Sequence, residues 1–419
     1  MRVLVYPHAM EIGGSQLNAV EIAGAVRDRG HEVTVVSGPG PLVETVRQLG
    51  LPHVLLEPGR RTLSPRGIAH LTSLAREHKI DVVHGYEWPP GVEAVLGPGL
   101  LLRLPVVCTI MSGAVAPFLP RTIPVIVGTD DLRQEEMAGG RSLVTLIEPP
   151  VDIRANSPEF SSGSFRADLG LDAAVPLVAV VCRLVADFKV EGVVMACDAV
   201  GELARSGVGI QLVVVGDGPA RPAVEQAAVA ANARAGRRVV ALAGEMHDPR
   251  TAYAAADVML GMGGSALRGM AFGKPLVVLG VGGFSQLLTP ESAPEFLHRG
   301  WGGLDPAPHA DWRAVGAARM AGILRTLLDD RATWARLGEY GRGLVVERYS
   351  LEHAAAVQEE VYASVSDAAN RPSAARLAAS AARTANGAFW HKAKRRWHRW
   401  RGTVAIEDFN VIPQVRRAQ

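Results

Sequence analysis

The stretch Met1–Ser37, MRVLVYPHAMEIGGSQLNAVEIAGAVRDRGHEVTVVS, holds two runs of β-branched apolar residues separated by one helical pattern. The run RVLVY at Arg2–Tyr6 is of strand length. Gly13-Gly14 then breaks the chain, Ser15 stands where a helix N-cap is favoured, and apolar residues recur at helical spacing until Arg29-Gly30 closes the element. EVTVVS follows as a second strand. A strand, a helix and a strand in about 37 residues make a βαβ unit, and continuously apolar strands belong to a parallel sheet covered on both faces.

The same rhythm continues outward. A helix near Leu42–Leu49, HVLLE, a helix near Pro65–His78, DVVHG, PVVCTI, VIVGT and LVTLIEPPVDI complete a first series, and Glu148-Pro149-Pro150 with the polar RANSPEFSSGS reads as a linker. A second series begins at LVAVVCRL. It runs through helices at Gly192–Ser206 and Pro222–Ala235 to RVVALAG, VMLGMG and PLVVLG. Residues 1–150 and 165–345 are thus expected to be two Rossmann-like α/β domains that face each other across a cleft. Ala310–Leu344 is helical in pattern, and a helix over 349–366 precedes a basic, Trp-rich tail at 370–419.

Charge is unevenly spread. Asn370–Gln419 carries eleven Lys/Arg against two acids, while the preceding residues have 33 basic against 40 acidic side chains, so an acidic body is joined to a basic tail. Cys108, Cys182 and Cys197 have neither metal-ligand spacing nor an even count. A reducing, cytoplasmic setting, no metal and no transmembrane span are expected, and arginine- and alanine-rich usage with few lysines fits a high-GC bacterium.

In open parallel sheets ligands bind at the carboxyl ends of strands. The loops there hold Gly13 and Gly14, Arg183 and Lys189, the turn Gly216-Asp217-Gly218-Pro219, Gly244 and Met246, and Gly261-Met-Gly263-Gly264-Ser265. Glycines let backbone amides approach an anion, Ser265 either caps its helix or donates to a phosphate, and two cations after one strand suit a diphosphate. Asp217 is expected to be a turn residue. His84 and Glu87, after an N-terminal strand, stand where an acceptor would enter, with a hydrogen-bonded structural role as the alternative for the histidine.

In this order the segments GGSQLNAVEIAGAVRDRGHEVTVVSG, DVVHGYE, PPVDI, CRLVADFKVEG, LVVVGDGPARPAVE, ALAGEMHDPRTAYAAADVML, GMAFGKPLVV and VERYSLEHAAAVQEEVY resemble the GT-B glycosyltransferases, in particular the large retaining group called family 4 or group 1. Across residues 1–365 the resemblance implies a hexosyltransferase-type enzyme with a nucleotide-diphosphate sugar as donor and no further cofactor. Arg183 and Lys189 then correspond to the basic pair on the donor diphosphate, and the glycine loops, Met246, Ser265 and Arg268 to donor-binding positions. It also implies that the helix after Tyr349-Ser350 crosses back to the N-terminal domain. No catalytic carboxylate is nominated, because a loose transition state can be stabilised by positioning and by charge at the leaving diphosphate.

The sequence departs from that family at four points. The paired glutamates, eight residues apart, are replaced by Leu260 and Arg268, Arg183 and Lys189 are one residue further apart than usual, and TIMSG lacks a histidine. Arg268 has three readings: a donor to the diphosphate, a reader of hydroxyls on a less usual donor, or a surface residue in a protein that no longer transfers sugar. A noncatalytic partner protein and a nucleotide-sugar epimerase are the alternatives to a transferase. Trp390, Trp397 and Trp400 share one broad helical face with Lys392, Lys394, Arg395, Arg396 and Arg399 around it, so residues 389–401 suit an anionic membrane surface and a lipid-linked acceptor. Packing of the tail on the acidic body and nucleic-acid binding are the weaker options, and a small-molecule acceptor remains open.

Overall fold

The computed structural model describes residues 1–56, 63–185, 189–305, 311–370 and 372–401. Residues 186–188, inside the Arg183–Lys189 loop, and 402–419 of the tail lie outside the described residues. The chain forms two compact units, Met1–Pro150 with Leu351–Gln419, and Val151–Ser350.

In the first unit β1 (Arg2–Tyr6), β2 (Glu32–Ser37), β3 (His53–Leu55), β4 (Val82–Tyr86), β5 (Val106–Ile110), β6 (Val125–Val127) and β7 (Val144–Leu146) form a sheet in the order β3-β2-β1-β4-β5-β6-β7. Every pairing is parallel. Alternate residues of β1 enter opposite cores, Val3 and Val5 on one face and Leu4 and Tyr6 on the other. Strands buried on both faces are why these runs show no polar alternation.

The helix Gly14–Asp28 covers one face together with the returning helix Leu351–Ser366, whose Ala354, Ala355 and Tyr362 share a core with Val20, Ile22 and Val26. The expected N-cap role of Ser15 is not realised. The capping residue is Gly13, in an extended conformation, two residues before the expected one.

The second unit holds β8 (Leu177–Val181), β9 (Gln211–Val215), β10 (Val240–Gly244), β11 (Val258–Gly261), β12 (Leu276–Val281), β13 (Ser285–Leu287) and β14 (Gly303–Leu304). Its order is β10-β9-β8-β11-β12-β13, with β14 also on β12. β13 runs antiparallel to β12, and β14, two residues long, pairs with β12 in parallel. Sequence patterning misses both because they are too short to carry a period. The predicted helical stretch before Leu344 divides into Trp312–Asp329 and Ala332–Arg348. The two ends of this unit are tied by Val151 N–H to Tyr349 O, 2.7 Å.

Strand order reverses between β1 and β4 in one unit and between β8 and β11 in the other. Such switch points open a crevice at the carboxyl ends of the strands. The loops that leave these four strands therefore define where chemistry is to be sought.

Candidate functional site

At the first switch point, the backbone of Glu87 has φ 69° and ψ 166°, a combination that is close to glycine-only. Three hydrogen bonds to its carboxylate hold it there. Oε1 accepts from Ser15 Oγ at 2.9 Å and Met111 N at 3.1 Å, and Oε2 from Ser112 Oγ at 2.6 Å. Glu87 N–H donates to Thr109 O at 2.7 Å. One nearly buried carboxylate thereby joins the start of the Gly14–Asp28 helix to the loop after β5. Glu87 is recognisable from its place in the sequence, whereas its partners Ser15, Met111 and Ser112 are not. No local signal marks them, because they come from two segments distant in sequence from Glu87.

His84 lies in the core of β4, opposite Val5 of β1 and Val107 of β5. It is fully buried, with Nδ1 2.7 Å from Tyr362 Oη and Nε2 2.7 Å from Thr109 Oγ1. Burial pushes its pKa down to about 3, so the ring is neutral at physiological pH. Both nitrogens are used internally, which fits the structural alternative and leaves no ring atom facing an acceptor. In the Gly13-Gly14 turn a Cβ on Gly14 would meet nothing within 4 Å, whereas one on Gly13 would meet the Gln16 side chain at 2.5 Å.

At the second switch point the β9 turn clamps the loop after β8. Gly216 and Gly218 have φ 135° and 152°, and a Cβ on them would stand 1.9 Å from Cys182 O and 2.3 Å from Leu184 O. Leu184 N–H donates to Asp217 O at 2.9 Å, and the Asp217 carboxylate accepts from Gly218 N and Arg221, as expected of a turn residue. Only glycine permits this contact. It fixes the backbone on either side of Arg183, whose side chain is exposed.

Lys189 precedes the helix Val190–Arg205 and opposes, by its charge, the burial that raises the neighbouring Cys182 thiol to about 11. Gly244 occupies a positive φ of 75° at a bulge in β10, and its carbonyl accepts from Gly216 N at 2.7 Å. Met246 packs against an apolar core of the unit.

The turn after β11 needs Gly263, with φ 54°, whose N–H donates to Trp301 O. Ser265 neither caps the helix Gly264–Ala271 nor keeps a free hydroxyl. Its Oγ donates to Met262 O at 3.0 Å and accepts from Met262 N at 3.2 Å, so it locks the turn. The amides of Gly264 and Ser265 have no hydrogen-bond partner among the described residues.

Helical side chains lean toward the N-terminus. Arg268 does so, bringing Nη1 to 3.2 Å from where a Gly264 Cβ would be. Its charge also opposes the burial that raises Tyr253 to about 12. The side chains of Arg183, Lys189 and Arg268 make no hydrogen bond or ion pair among the described residues. No group of His, Cys, Asp and Glu able to hold a metal occurs among those residues either.

Two family models match the chain, one described as Glycosyltransferase Family 4 over residues 12–117 and one as Glycosyl transferases group 1 over 175–299. They span 106 and 125 residues, together more than half of the 419. The chain belongs to the family 4/group 1 glycosyltransferases.

This glycosyltransferase has the GT-B fold. A glycosyltransferase from Rickettsia africae is 14% identical with TM-score 0.69, over 87% of this chain and 98% of that one. HepE from Anabaena, in complex with UDP, is 18% identical with TM-score 0.65, over 87% and 100%. Sucrose-phosphate synthase from Thermosynechococcus elongatus is 18% identical with TM-score 0.60, over 87% and 99%. At these identities the likeness is one of fold. No curated protein matches the glycosyltransferase at a significant level.

Proposed function

We propose that the enzyme transfers a hexosyl group from a nucleotide-diphosphate sugar to a lipid-linked acceptor, with retention of configuration and without a metal. The observation that carries this is the trio of cations at the second switch point, Arg183, Lys189 and Arg268, none of them satisfied within the described residues. Other arginines of this unit are paired, among them Arg166 with Asp257, Arg221 with Asp217 and Arg250 with Asp248. Charges kept unpaired beside two free helix-terminal amides suit a diphosphate.

As the sugar leaves, negative charge grows on the diphosphate. Arg183 and Lys189 stabilise that charge without having to reorganise. Arg268, folded back over Gly264, takes the first of its three readings and donates to the same group. HepE, in structures with UDP and with UDP-glucose, supports a uridine donor for this chain.

The tail supports peripheral attachment at the cytoplasmic face of an anionic bilayer, with Trp390, Trp397 and Trp400 exposed on the helix Ala374–Trp400. No helix among the described residues is long and apolar enough to cross a membrane.

Calorimetry with UDP, GDP, dTDP and ADP, followed by release of nucleotide from the matching sugar donor in EDTA, tests the donor assignment. The expected result is one preferred nucleotide and turnover undiminished by EDTA. Binding of none, by demonstrably folded protein, sinks it. Product anomers, read by NMR, decide retention.

A further inference from the structure

The helix Ala374–Trp400 docks on the first unit with its small residues inward and its large rings outward. Ala381, Thr384, Ala388 and His391 are buried, while Phe389, Trp390, Trp397 and Trp400 are 65%, 64%, 47% and 82% exposed. The docking is well defined. Thr384 Oγ1 donates to Phe118 O at 2.9 Å, Lys392 Nζ donates to Leu63 O at 2.7 Å, and His391 stands 5.4 Å from Trp88 and 5.5 Å from Phe118, ring to ring. A Cβ on Gly387 would meet that of Phe118 at 2.3 Å, so a glycine sets how closely the helix approaches.

Between this helix and the loop Ala114–Thr122 runs an open groove of about 1650 Å³. Pockets for drug-sized ligands hold roughly 300–1,000 Å³, so the space suits something longer. Its apolar lining comes from both sides, Val115, Pro117, Phe118 and Leu132 on one and Trp390 and Trp397 on the other. Its charged groups are three cations, Arg121, Arg383 and Lys394, and two acids. Arg121 and Arg383 make no ion pair or hydrogen bond among the described residues, and Lys394 adds a third cation. Of the two acids in the lining, Glu136 is held by Arg141 at 2.9 Å, which leaves Glu135.

We propose that this groove holds the lipid anchor of the acceptor, a long-chain amphiphile with a phosphate, its chain between the apolar residues and its phosphate at Arg121 and Arg383. The assignment rests on the glycosyltransferase reading with a lipid-linked acceptor, and adds where the lipid lies. Charge complementarity selects an anionic headgroup over a neutral one. The loop that lines the groove follows directly on Met111 and Ser112, both bonded to Glu87 at the first switch point. A chain in the groove would thus place the attached acceptor group beside that switch point. The exposed rings next to it lie at headgroup level when the helix rests on a bilayer, giving the lipid a short path from membrane to groove.

The test uses the full chain, tryptophan fluorescence and three probes below any micelle concentration: dodecyl phosphate, dodecyl maltoside and inorganic phosphate. Saturable binding of dodecyl phosphate is expected, with dodecyl maltoside at least tenfold weaker and inorganic phosphate silent. Ala393→Trp, which fills the groove, should weaken dodecyl phosphate at least tenfold, and Ala393→Leu by less. The double change Arg121→Glu and Arg383→Glu should abolish the preference for phosphate. UDP affinity, measured on the same samples, should be unchanged by all of these. The proposal is overturned if dodecyl phosphate does not bind, if the maltoside binds equally well, or if the groove variants bind like the wild type. Loss of UDP binding with the dodecyl phosphate pattern intact would instead sink the donor assignment alone.

Discussion

The two switch points treat charge in opposite ways. In the first unit the polar groups at the strand ends satisfy one another: Glu87 collects Ser15, Met111 and Ser112, His84 is closed by Tyr362 and Thr109, and Tyr6 donates to Glu93 at 2.7 Å. In the second unit the glycine turns are clamped by backbone contacts, yet Arg183, Lys189 and Arg268 are left without partners among the described residues. One side is assembled in advance, and the other is held rigid but electrostatically unfinished. Unpaired cations keep their charge for a ligand, whereas a buried carboxylate network has already used its own to fix geometry.

The largest effect should come from acid, on the first unit. His84 has a folded-state pKa of about 3 against an ordinary 6.5, so the unfolded chain binds the proton more readily. Stability is therefore complete above pH 6.5 and declines as pH falls toward 3, by about 1.4 kcal/mol per pH unit. Urea unfolding from pH 7 to 4 reads the slope, and His84→Gln should flatten it. An unchanged slope would break the account of a buried neutral ring.

Next, Glu87→Ala should cost about 3 kcal/mol, because it strands three donors and keeps the unfavourable backbone. Glu87→Gly should cost less by relieving the backbone. Equal costs in chemical denaturation would show that the strain is not felt.

In the second unit, Arg183→Ala should cost turnover rather than stability. We expect a loss of about 100-fold or more in kcat, near 2.7 kcal/mol, with unfolding free energy unchanged within about 0.5 kcal/mol. Steady-state kinetics beside denaturation would erase the contrast if stability fell as far as activity.

The smallest effect concerns Arg268→Ala, expected to weaken the nucleotide by about tenfold, or 1.4 kcal/mol. Calorimetry with the preferred nucleoside diphosphate measures it. A tenfold loss seen with the nucleotide sugar but not with the nucleoside diphosphate would move Arg268 to the second of its readings, the sugar hydroxyls.

Much of the fold was legible because period is a local property. RVLVY, EVTVVS, LVAVV and QLVVV lie in strands, and the helices at Leu42–Gln48, Pro65–Glu77, Arg221–Ala235 and Leu351–Ser366 fall within a few residues of their sequence patterns. The strands β13 and β14 were not legible, having three and two residues. Side-chain destinations were less legible still. Ser15 and Ser265 both stand where an N-cap is favoured, and both hydroxyls go elsewhere, one to Glu87 across the sheet and one to its own turn.

The sequence by itself determined the alternation of strands and helices, the glycine turns at the strand ends and the cations beside them, since each is set by residue type and spacing over a few positions. Only the tertiary structure decided which of those groups are satisfied. Whether Arg183 is unpaired, His84 buried, Glu87 strained or Trp390 exposed depends on residues distant in the chain, as Thr109 and Tyr362, 25 and 278 positions from His84, illustrate. Burial and pairing are sums over neighbours that only the folded chain brings together.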